Sequence, residues 1–313
     1  MVNMKLSRRD FNKSLGAAVL GASLTPVTLK AAEFKFPIVV FSKHLQFLNY
    51  EDMAATAKEI GFDGVDLTVR PKGHVLPENV TRDLPKAVKA INDAGLKTYM
   101  MTTAINNAGD QFATPVLKTA GELGIKYYRM GYLRYDDETP VEEELQSAQK
   151  VFVELNALNT KFGIVGCYQN HARQYIGSPI WDLWLLLKDL KPDWIGSQYD
   201  IRHATVEGAS AWPMGLDLLK NYIHTLVIKD FYWHKKDGEW DIKNCPIGEG
   251  MVDFKAYFHT LKQLGINAPI SLHFEYPIAE ELDDPALRRE HTMRAMRKDL
   301  KTLRTMLKTS ELI

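Results

Sequence analysis

The stretch Glu59-Ile60-Gly61-Phe62-Asp63-Gly64-Val65-Asp66-Leu67 contains the pattern that decides the fold: a helix end, a glycine, an apolar residue and a short apolar strand. A glycine just past a helix supplies the left-handed residue that ends it, and the short β-rich run after it is typical of a buried parallel strand. The pattern recurs at Ala94-Gly95-Leu96, Leu123-Gly124-Ile125, Phe162-Gly163-Ile164 and Leu264-Gly265-Ile266. The sequence therefore repeats one strand-and-helix unit.

The spacing of these glycines predicts a closed barrel. The first four glycines are 34, 29 and 39 residues apart, and Gly265 follows after 102 residues, which is three units of 34. Eight such units fill the chain after residue 32, which predicts an α/β protein with a single (β/α)8 TIM barrel. The expected strands start near Ile38, Gly64, Lys97, Lys126, Gly163, Trp194, His224 and Pro269. An open doubly wound sheet normally carries a glycine-rich phosphate loop, which this sequence lacks.

Residues 1–32 are predicted to be an export signal. Arg8-Arg9 precedes the weakly apolar run 14–24, and small residues stand at Ala31-Ala32. A charged start, a short apolar run and small residues are typical of a secretory signal, and adjacent arginines indicate the twin-arginine route. We therefore expect a twin-arginine signal peptide at 1–32, a catalytic barrel at 33–313, contact with the twin-arginine export machinery, and a periplasmic or otherwise exported location without a stable membrane anchor.

The charge balance argues against nucleic acid as a partner. The chain has 39 basic and 39 acidic residues, but residues 1–32 hold five of the basic ones and one of the acidic ones. The remaining 34 basic and 38 acidic residues make a mildly acidic body, whereas duplex binding needs a basic surface. This disfavours a metal-dependent endonuclease built on a related barrel. Cys167 and Cys245 stand at no metal-binding spacing, and either a disulfide or two separate buried thiols is compatible with the sequence.

Polar residues follow the predicted strands, where a (β/α)8 barrel carries its active site. Polar side chains at such positions are costly to bury unless they are paired or used. The candidates in chain order are His44, Asp66 with Arg70, Thr102-Thr103, Arg129, Gln169-Asn170-His171, Asp200 with His203, Lys229-Asp230, and His273 with Glu275.

Several of these residues lie in phrases that resemble a known family. The phrases are Ile60–Leu67, Tyr168-Gln169-Asn170-His171, Gln198-Tyr199-Asp200-Ile201-Arg202-His203-Ala204, Ile228-Lys229-Asp230-Phe231, Pro246-Ile247-Gly248-Glu249-Gly250-Met251-Val252-Asp253-Phe254 and Ser271-Leu272-His273-Phe274-Glu275-Tyr276. In this order and spacing, the region 36–305 resembles the sugar phosphate isomerase/epimerase family of xylose isomerase-like barrels.

For the metal-dependent members, the resemblance implies a divalent ion on four strand-end residues, two of them glutamates that also act as bases. The last glutamate corresponds to Glu275, and the aspartate ligand corresponds to Asp200. Two positions depart from the pattern: Gln169 stands where a glutamate is usual, and Val227 where a histidine is usual. A glutamine still offers a carbonyl oxygen to a hard ion, whereas a valine offers nothing. We therefore expect Asp200, Glu275, Gln169 and His171 as metal ligands, with His273 or Glu249 as alternatives.

Oxygen-rich ligands favour manganese or magnesium, and participation of a histidine shifts the preference toward zinc. The expected chemistry is metal-assisted proton removal next to a carbonyl of a sugar or keto-sugar, with the charge stabilised on the oxygen. Glu275 is the expected base, His171 and His203 orient hydroxyl groups, and Lys229 balances the oxyanion. The expected substrate contacts are Gln169, Asn170, Arg70, Arg129 and His273.

Three functions remain open from the sequence. The first is an isomerase or epimerase, although Gln169 cannot accept a proton and so disfavours epimerisation by two carboxylates. The second is a lyase or dehydratase that uses the same site for elimination from a keto-sugar or keto-glycoside. The third is a sugar-binding barrel without catalysis, for which the replacements at 169 and 227 are the evidence.

Overall fold

The computed structural model describes residues 36–279 and 282–313 and confirms the expected barrel. Its strands are β1 (Ile38–Phe41), β2 (Gly64–Val69), β3 (Lys97–Thr103), β4 (Tyr127–Arg129), β5 (Val165–Gln169), β6 (Ile195–Asp200), β7 (Ile223–Ile228), β8 (Asp230–Lys236), β9 (Glu239–Cys245) and β10 (Ile270–Leu272). Eight of them close a parallel barrel in the order β1-β10-β7-β6-β5-β4-β3-β2. The barrel strands begin within two residues of the predicted positions.

Nine helices of the described residues connect or flank these strands. They are α1 (Tyr50–Ile60), α2 (Val80–Asp93), α3 (Ala113–Glu122), α4 (Val141–Phe162), α5 (Ile180–Leu187), α6 (Ile201–Gly208), α7 (Trp212–Leu219), α8 (Phe254–Leu264) and α9 (Pro285–Thr309). Short 3-10 turns occupy Ser42–Leu45, Pro77–Asn79, Ala209–Ala211 and Lys220–Tyr222.

The repeated glycines act as the sequence predicts. All five adopt a positive φ, from 66° at Gly163 to 106° at Gly61. Gly61, Gly163 and Gly265 directly follow α1, α4 and α8, and each returns its backbone N–H to the last turn of the helix. The left-handed residue ends the helix and turns the chain toward the next strand.

Apolar side chains between the barrel and the helices form one continuous core. Helix α9 packs onto this core next to the first helix, α1. Met296, Leu300 and Leu303 of α9 are buried in this core. On the outside, Arg297 of α9 pairs with Glu59 of α1 at 2.7 Å. This packing joins the last helix of the chain to the first repeat.

An antiparallel hairpin that the repeat pattern does not predict rises from the end of β7. Strands β8 and β9 pair along their whole length, and the turn residues Asp237 and Gly238 have φ values of 52° and 93°. An Asp-Gly pair between two strands is a strong hairpin signal, because both turn residues need a positive φ. The sequence therefore contained this signal.

Three sequence predictions concern processing and location. Both cysteines, Cys167 and Cys245, are buried and free, which resolves the question of a disulfide. Within the described residues, no helix has the length and apolar composition needed to cross a bilayer. The predicted signal at 1–32 lies outside the described residues and stays a prediction.

Candidate functional site

The amino group of Lys229 lies where the carboxyl ends of three adjacent strands meet. Its Nζ is 3.0 Å from Oδ2 of Asp200, which ends β6, and 3.3 Å from Oε2 of Glu275, which follows β10. The same atom is 2.8 Å from Nε2 of His203. Lys229 itself directly follows β7, and only 3% of its side chain is exposed. The predicted acidic residues Asp200 and Glu275 therefore meet at one buried cation.

The charges of this cluster stabilise one another. Burial alone would lower the pKa of Lys229, but the carboxylates of Asp200 and Glu275 outweigh it and raise the pKa above its usual value. Burial would raise the pKa of Glu275, but Lys229 and His273 hold it well below the ordinary value. Glu275 is therefore an ionised carboxylate, and 27% of its side chain is exposed to the cleft above.

Lys229 and Asp230 do not pair with each other, although they are neighbours in the sequence. Successive side chains of extended backbone point to opposite sides. The carboxylate of Asp230 accepts backbone N–H groups from Gly248 and Gly250 at 3.0 Å and from Val252 at 3.2 Å. Asp230 therefore anchors the loop that follows the hairpin.

The amide of Gln169 has one orientation in this network. Its Oε1 accepts from Tyr132 Oη at 2.6 Å and from Arg129 Nη1 at 3.3 Å, while its Nε2 donates to Asp200 Oδ2 at 2.7 Å. Arginine can only donate and an ionised carboxylate can only accept, so these partners fix the amide. Gln169 thus presents its NH2 group to Asp200, and its oxygen faces Arg129.

Two histidines extend the cluster toward solvent. His203 is buried, and its Nδ1 accepts the backbone N–H of Ala172 at 3.1 Å. The ring of His171 lies 3.9 Å from that of His203 and 4.4 Å from that of Tyr175. Burial, followed by the charge of Lys229, lowers the pKa of His171 to about 4 and that of His203 well below its usual value.

His171 is the neutral imidazole that faces the cleft. Its Nδ1 lies 2.9 Å from the carbonyl oxygen of Ala172, which can only accept, so the ring proton is on Nδ1. Its Nε2 has no hydrogen-bond partner among the described residues and carries a lone pair. This arrangement can accept a proton from a bound molecule.

The hairpin completes one wall of the cleft. Asn244 of β9 donates to the backbone carbonyl of Glu275 at 3.1 Å and accepts from Arg202 Nη2 at 2.6 Å. Asn170 holds β6 in place, since it donates to the Asp200 carbonyl at 2.9 Å and accepts the Asp200 N–H at 2.8 Å. Both polar atoms of the Asn170 amide thus bond to the Asp200 backbone. The contact of Asn170 with substrate stays a prediction.

The remaining predicted site residues His273 and Arg129 lie beside the cluster, against Glu275 and Gln169 respectively. His273 is buried, with Nε2 3.1 Å from Ser271 Oγ and Nδ1 3.7 Å from Glu275 Oε1. Arg129 lies over the Tyr132 ring, with its guanidinium carbon 4.7 Å from the ring centroid, and Arg70 lies over the Phe41 ring at 5.6 Å.

Asp66 lies deeper, in the barrel interior. Its carboxylate accepts from Thr102 Oγ1 at 2.9 Å and from Ser271 Oγ at 2.7 Å. Both of these donors are hydroxyl groups of barrel strands, so this carboxylate links strands in the barrel interior.

The cleft above the cluster has a volume of about 450 Å³, which lies within the ~300–1,000 Å³ typical of small-molecule sites. Its lining combines a carboxylate and imidazoles with arginines and an aromatic ring: Glu275, His171, His203, Arg134, Arg173, Arg202, Tyr175 and Asn244. Sequence reasoning did not single out Tyr132, Tyr175, Arg202 or Asn244. The hairpin signal at 237–238 could have indicated Asn244, but the other three contacts depend on how distant loops pack.

The described residues do not fit the divalent ion that the family resemblance implies. Valine at 227 offers no ligand atom, and the only oxygen of the Gln169 amide faces Arg129. The Lys229 ammonium stands between the two carboxylates, where a second cation would be repelled. Within the described residues, no group of three or more His, Cys, Asp or Glu side chains has an arrangement that could hold a metal ion.

The metal set of Asp200, Glu275, Gln169 and His171 stays a prediction, and in the structure these four side chains contact other groups. Asp200 and Glu275 contact an ammonium, Gln169 donates to Asp200, and His171 Nδ1 lies on a backbone carbonyl. The alternative ligand Glu249 lies on the surface and pairs with Lys298.

Comparison with known proteins supports the same architecture. Residues 54–305 match the family model described as xylose isomerase-like TIM barrel. No curated protein sequence matches the chain.

Similar solved structures include the apo form of a 3-keto-D-glucoside 4-epimerase from E. coli, with 18% identity and a TM-score of 0.66 over 87% of this chain and 100% of that chain. The IOLI protein with a bound zinc atom has 16% identity and a TM-score of 0.69, over 87% and 98% of the two chains. A structure described as a probable 3-DHS dehydratase from Bacillus anthracis has 12% identity and a TM-score of 0.61, over 84% and 98%. At these identities, the similarity establishes the fold.

Proposed function

Since the chain belongs to the xylose isomerase-like TIM barrel family, we propose that it is an isomerase- or lyase-type enzyme that removes a proton next to a carbonyl of a small sugar or keto-sugar. Structural neighbours include a sugar epimerase and a protein described as a dehydratase, two reaction classes that can start from such a proton removal.

The observation that carries the proposal is the free Nε2 of a neutral His171 beside the ionised Glu275 and the buried ammonium of Lys229. Burial keeps the imidazole unprotonated near neutral pH, so it can accept a proton. A base that faces the cleft and a fixed positive charge buried beneath it are the two parts that enolisation needs, because negative charge develops on the carbonyl oxygen as the proton leaves.

The electron balance of the step is simple. The C–H bond next to the carbonyl breaks, its proton moves to His171 Nε2, and its electron pair forms the C=C bond of an enediolate. The carbonyl oxygen then carries the negative charge, which the Lys229 ammonium stabilises. The hydroxyl proton of the deprotonated carbon then moves to this oxygen, and the proton on His171 passes to the former carbonyl carbon, so that the new carbonyl stands on the carbon that lost its C–H proton.

The Gln169 amide restricts the outcome. Both of its polar atoms are engaged, and an amide does not accept a proton at neutral pH. Two-base epimerisation with a carboxylate at position 169 is therefore disfavoured, and one-base isomerisation is the favoured reaction. Elimination is the second candidate, because the imidazolium formed at His171 can protonate a departing β-substituent at the same cleft.

The test is hydrogen exchange in heavy water. The purified protein is incubated in D2O with ketohexoses and with 3-keto-glucosides, and proton NMR follows loss of the signal next to the carbonyl and appearance of products. We expect deuterium uptake or an unsaturated product with at least one sugar, and a loss of about 10²-fold or more in His171→Gln. His259→Gln, on the exposed face of α8, is the matched control and should keep the full rate.

Two outcomes would contradict this proposal. Uptake that is unchanged in His171→Gln would remove the histidine from its assigned role. Sugar binding by calorimetry with no exchange for any sugar would indicate the binding barrel without catalysis.

We also propose that residues 1–32 direct export by the twin-arginine route. The support is the Arg8-Arg9 pair with its short apolar run. Cell fractionation should find the shortened protein outside the cytoplasm, and the paired substitution Arg8→Lys/Arg9→Lys should retain it inside at full length. Equal export of this variant would contradict the proposal.

A further inference from the structure

The cation position of the cluster is filled by a side chain of the protein itself. The Lys229 Nζ lies within 3.3 Å of both carboxylates and 2.8 Å from His203 Nε2. We propose that the Lys229 ammonium is a built-in replacement for the divalent ion, so that the protein binds no metal at this site and supplies the positive charge from its own chain. This inference concerns the resident cation and holds whichever sugar is the substrate.

The surroundings of Lys229 are arranged for a monovalent, hydrogen-bonding cation. An ammonium has three N–H donors and no acceptor, and here two carboxylate oxygens accept from it. His203 Nε2 lies 2.8 Å from the same ammonium but carries the ring proton, because its Nδ1 accepts the backbone N–H of Ala172. Val227 lies two residues earlier, on the same side of the strand, and is completely buried. An aliphatic residue at 227 adds no further polar group to the cluster below the lysine.

Gln169 fits the same interpretation. Its NH2 group donates a hydrogen bond to Asp200 Oδ2, the oxygen that also contacts Lys229. A glutamate at 169 would place a third carboxylate against Asp200, at the position where the Gln169 amide now donates a hydrogen bond. The amide instead supplies a donor without a charge, so the residues at 169, 227 and 229 are mutually consistent with one ammonium.

The first test measures metal binding directly, without a sugar. Chelator-treated protein is titrated with Mn2+ and with Zn2+ by calorimetry, and the metal content after dialysis is measured by mass spectrometry. We expect less than 0.1 ion per chain in the wild type. One ion per chain in the wild type, lost in Asp200→Asn, would overturn the proposal.

The second test converts the site. In the variant Gln169→Glu/Val227→His/Lys229→Ala, the two missing ligands are added and the ammonium is removed, and we expect one Mn2+ or Zn2+ per chain with at least 100-fold tighter binding than in the wild type. The matched control is Gln169→Glu/Val227→His with Lys229 retained, which should bind no better than the wild type. Equal binding by the double and triple variants would show that Lys229 does not exclude the ion and would overturn the proposal.

The titration of the wild type decides whether this site binds a metal ion, even when a variant does not fold. It is also separable from the proposed function: absence of deuterium exchange with every sugar would contradict the enzyme but leave the metal result standing. Where exchange is observed, its rate should be the same within twofold with and without EDTA. A rate that collapses with EDTA and returns with Mn2+ would overturn the metal-free site.

Discussion

Removal of the Lys229 charge should destabilise the fold strongly. The substitution Lys229→Met keeps an unbranched side chain of similar length and leaves the carboxylates of Asp200 and Glu275 without the ammonium that lies 3.0 and 3.3 Å away. Because the lysine is 3% exposed and Asp200 is completely buried, solvent screens this pair little. Breaking a buried ion pair by removing one partner costs about 3–5 kcal/mol, and we expect an effect of this size near pH 8.

The effect should depend on pH with a defined sign. The pKa of Glu275 is held well below its usual value of 4.5 by Lys229 in the folded protein. A carboxyl group with a lowered folded pKa contributes stability above its unfolded pKa and loses that contribution as the pH falls through the folded pKa. In Lys229→Met this contribution is absent, so the difference from the wild type should be complete above about pH 6 and should shrink as the pH falls below about 4.5.

Urea denaturation at pH 8 and at about pH 3.5, followed by circular dichroism, measures the difference. Lys298→Met is the matched control, because Lys298 also pairs with a glutamate, Glu249, but on the surface, where ion pairs contribute little. This control should not shift the midpoint at either pH. A Lys229→Met midpoint equal to that of the wild type at pH 8, or a deficit that is larger at the acid pH than at pH 8, would refute the reasoning.

Three further predictions follow from individual residues. The exchange rate with an active sugar should be level from pH 8 to about 5 and fall below pH 4, because burial lowers the pKa of His171 to about 4 and the base is lost only when its ring takes a proton; a fall near pH 6.5 would contradict this. Burial raises the pKa of Asp299 to about 6 from 3.8, so the wild type should lose stability as the pH rises from 4 to 7, and melting curves of Asp299→Asn should lack this slope. In Gly64→Ala, the new Cβ would lie 2.2 Å from the backbone oxygen of Lys97, so urea denaturation should show a loss of roughly 1–3 kcal/mol or more, whereas Gly208→Ala, with nothing within 4 Å, should show none.

The fold was predictable because its signals are local. The signal of the repeat is a glycine that ends a helix and is followed by a short apolar strand. All five of these glycines adopt a positive φ. The repeat pattern does not predict the hairpin of β8 and β9, because the hairpin is an insertion between two repeats. Its own signal in the sequence is the Asp237-Gly238 pair. Local geometry also predicts that Lys229 and Asp230 do not form an ion pair with each other, since adjacent side chains of extended backbone face opposite sides.

The sequence predicted the charged centre of the site, but not the residues that line the cleft above it or the contacts of each side chain. The rule that barrel strands converge at their carboxyl ends brought Asp200, Lys229 and Glu275 to one rim, and the structure places them together. The partner of each side chain depends on distances of a few ångströms between residues far apart in the sequence. The Gln169 amide shows this, because only Arg129 and Asp200 together determine which of its ends faces the cluster.

The pairing of β1 with β10 has a consequence for the order of assembly. Ile38 is aligned with Ile270, so the two strands that close the ring come from opposite ends of the barrel sequence. Glu275 follows β10 immediately, and it arrives at Lys229 only when that last strand docks. A nascent chain that stops before residue 270 leaves β1 and β7 with open edges and Asp200 as the sole carboxylate beside the ammonium. The ring of strands and the charged cluster are therefore completed in the same step. A chain that has not yet reached this step exposes unpaired strand edges, which promote aggregation, and lacks the complete site.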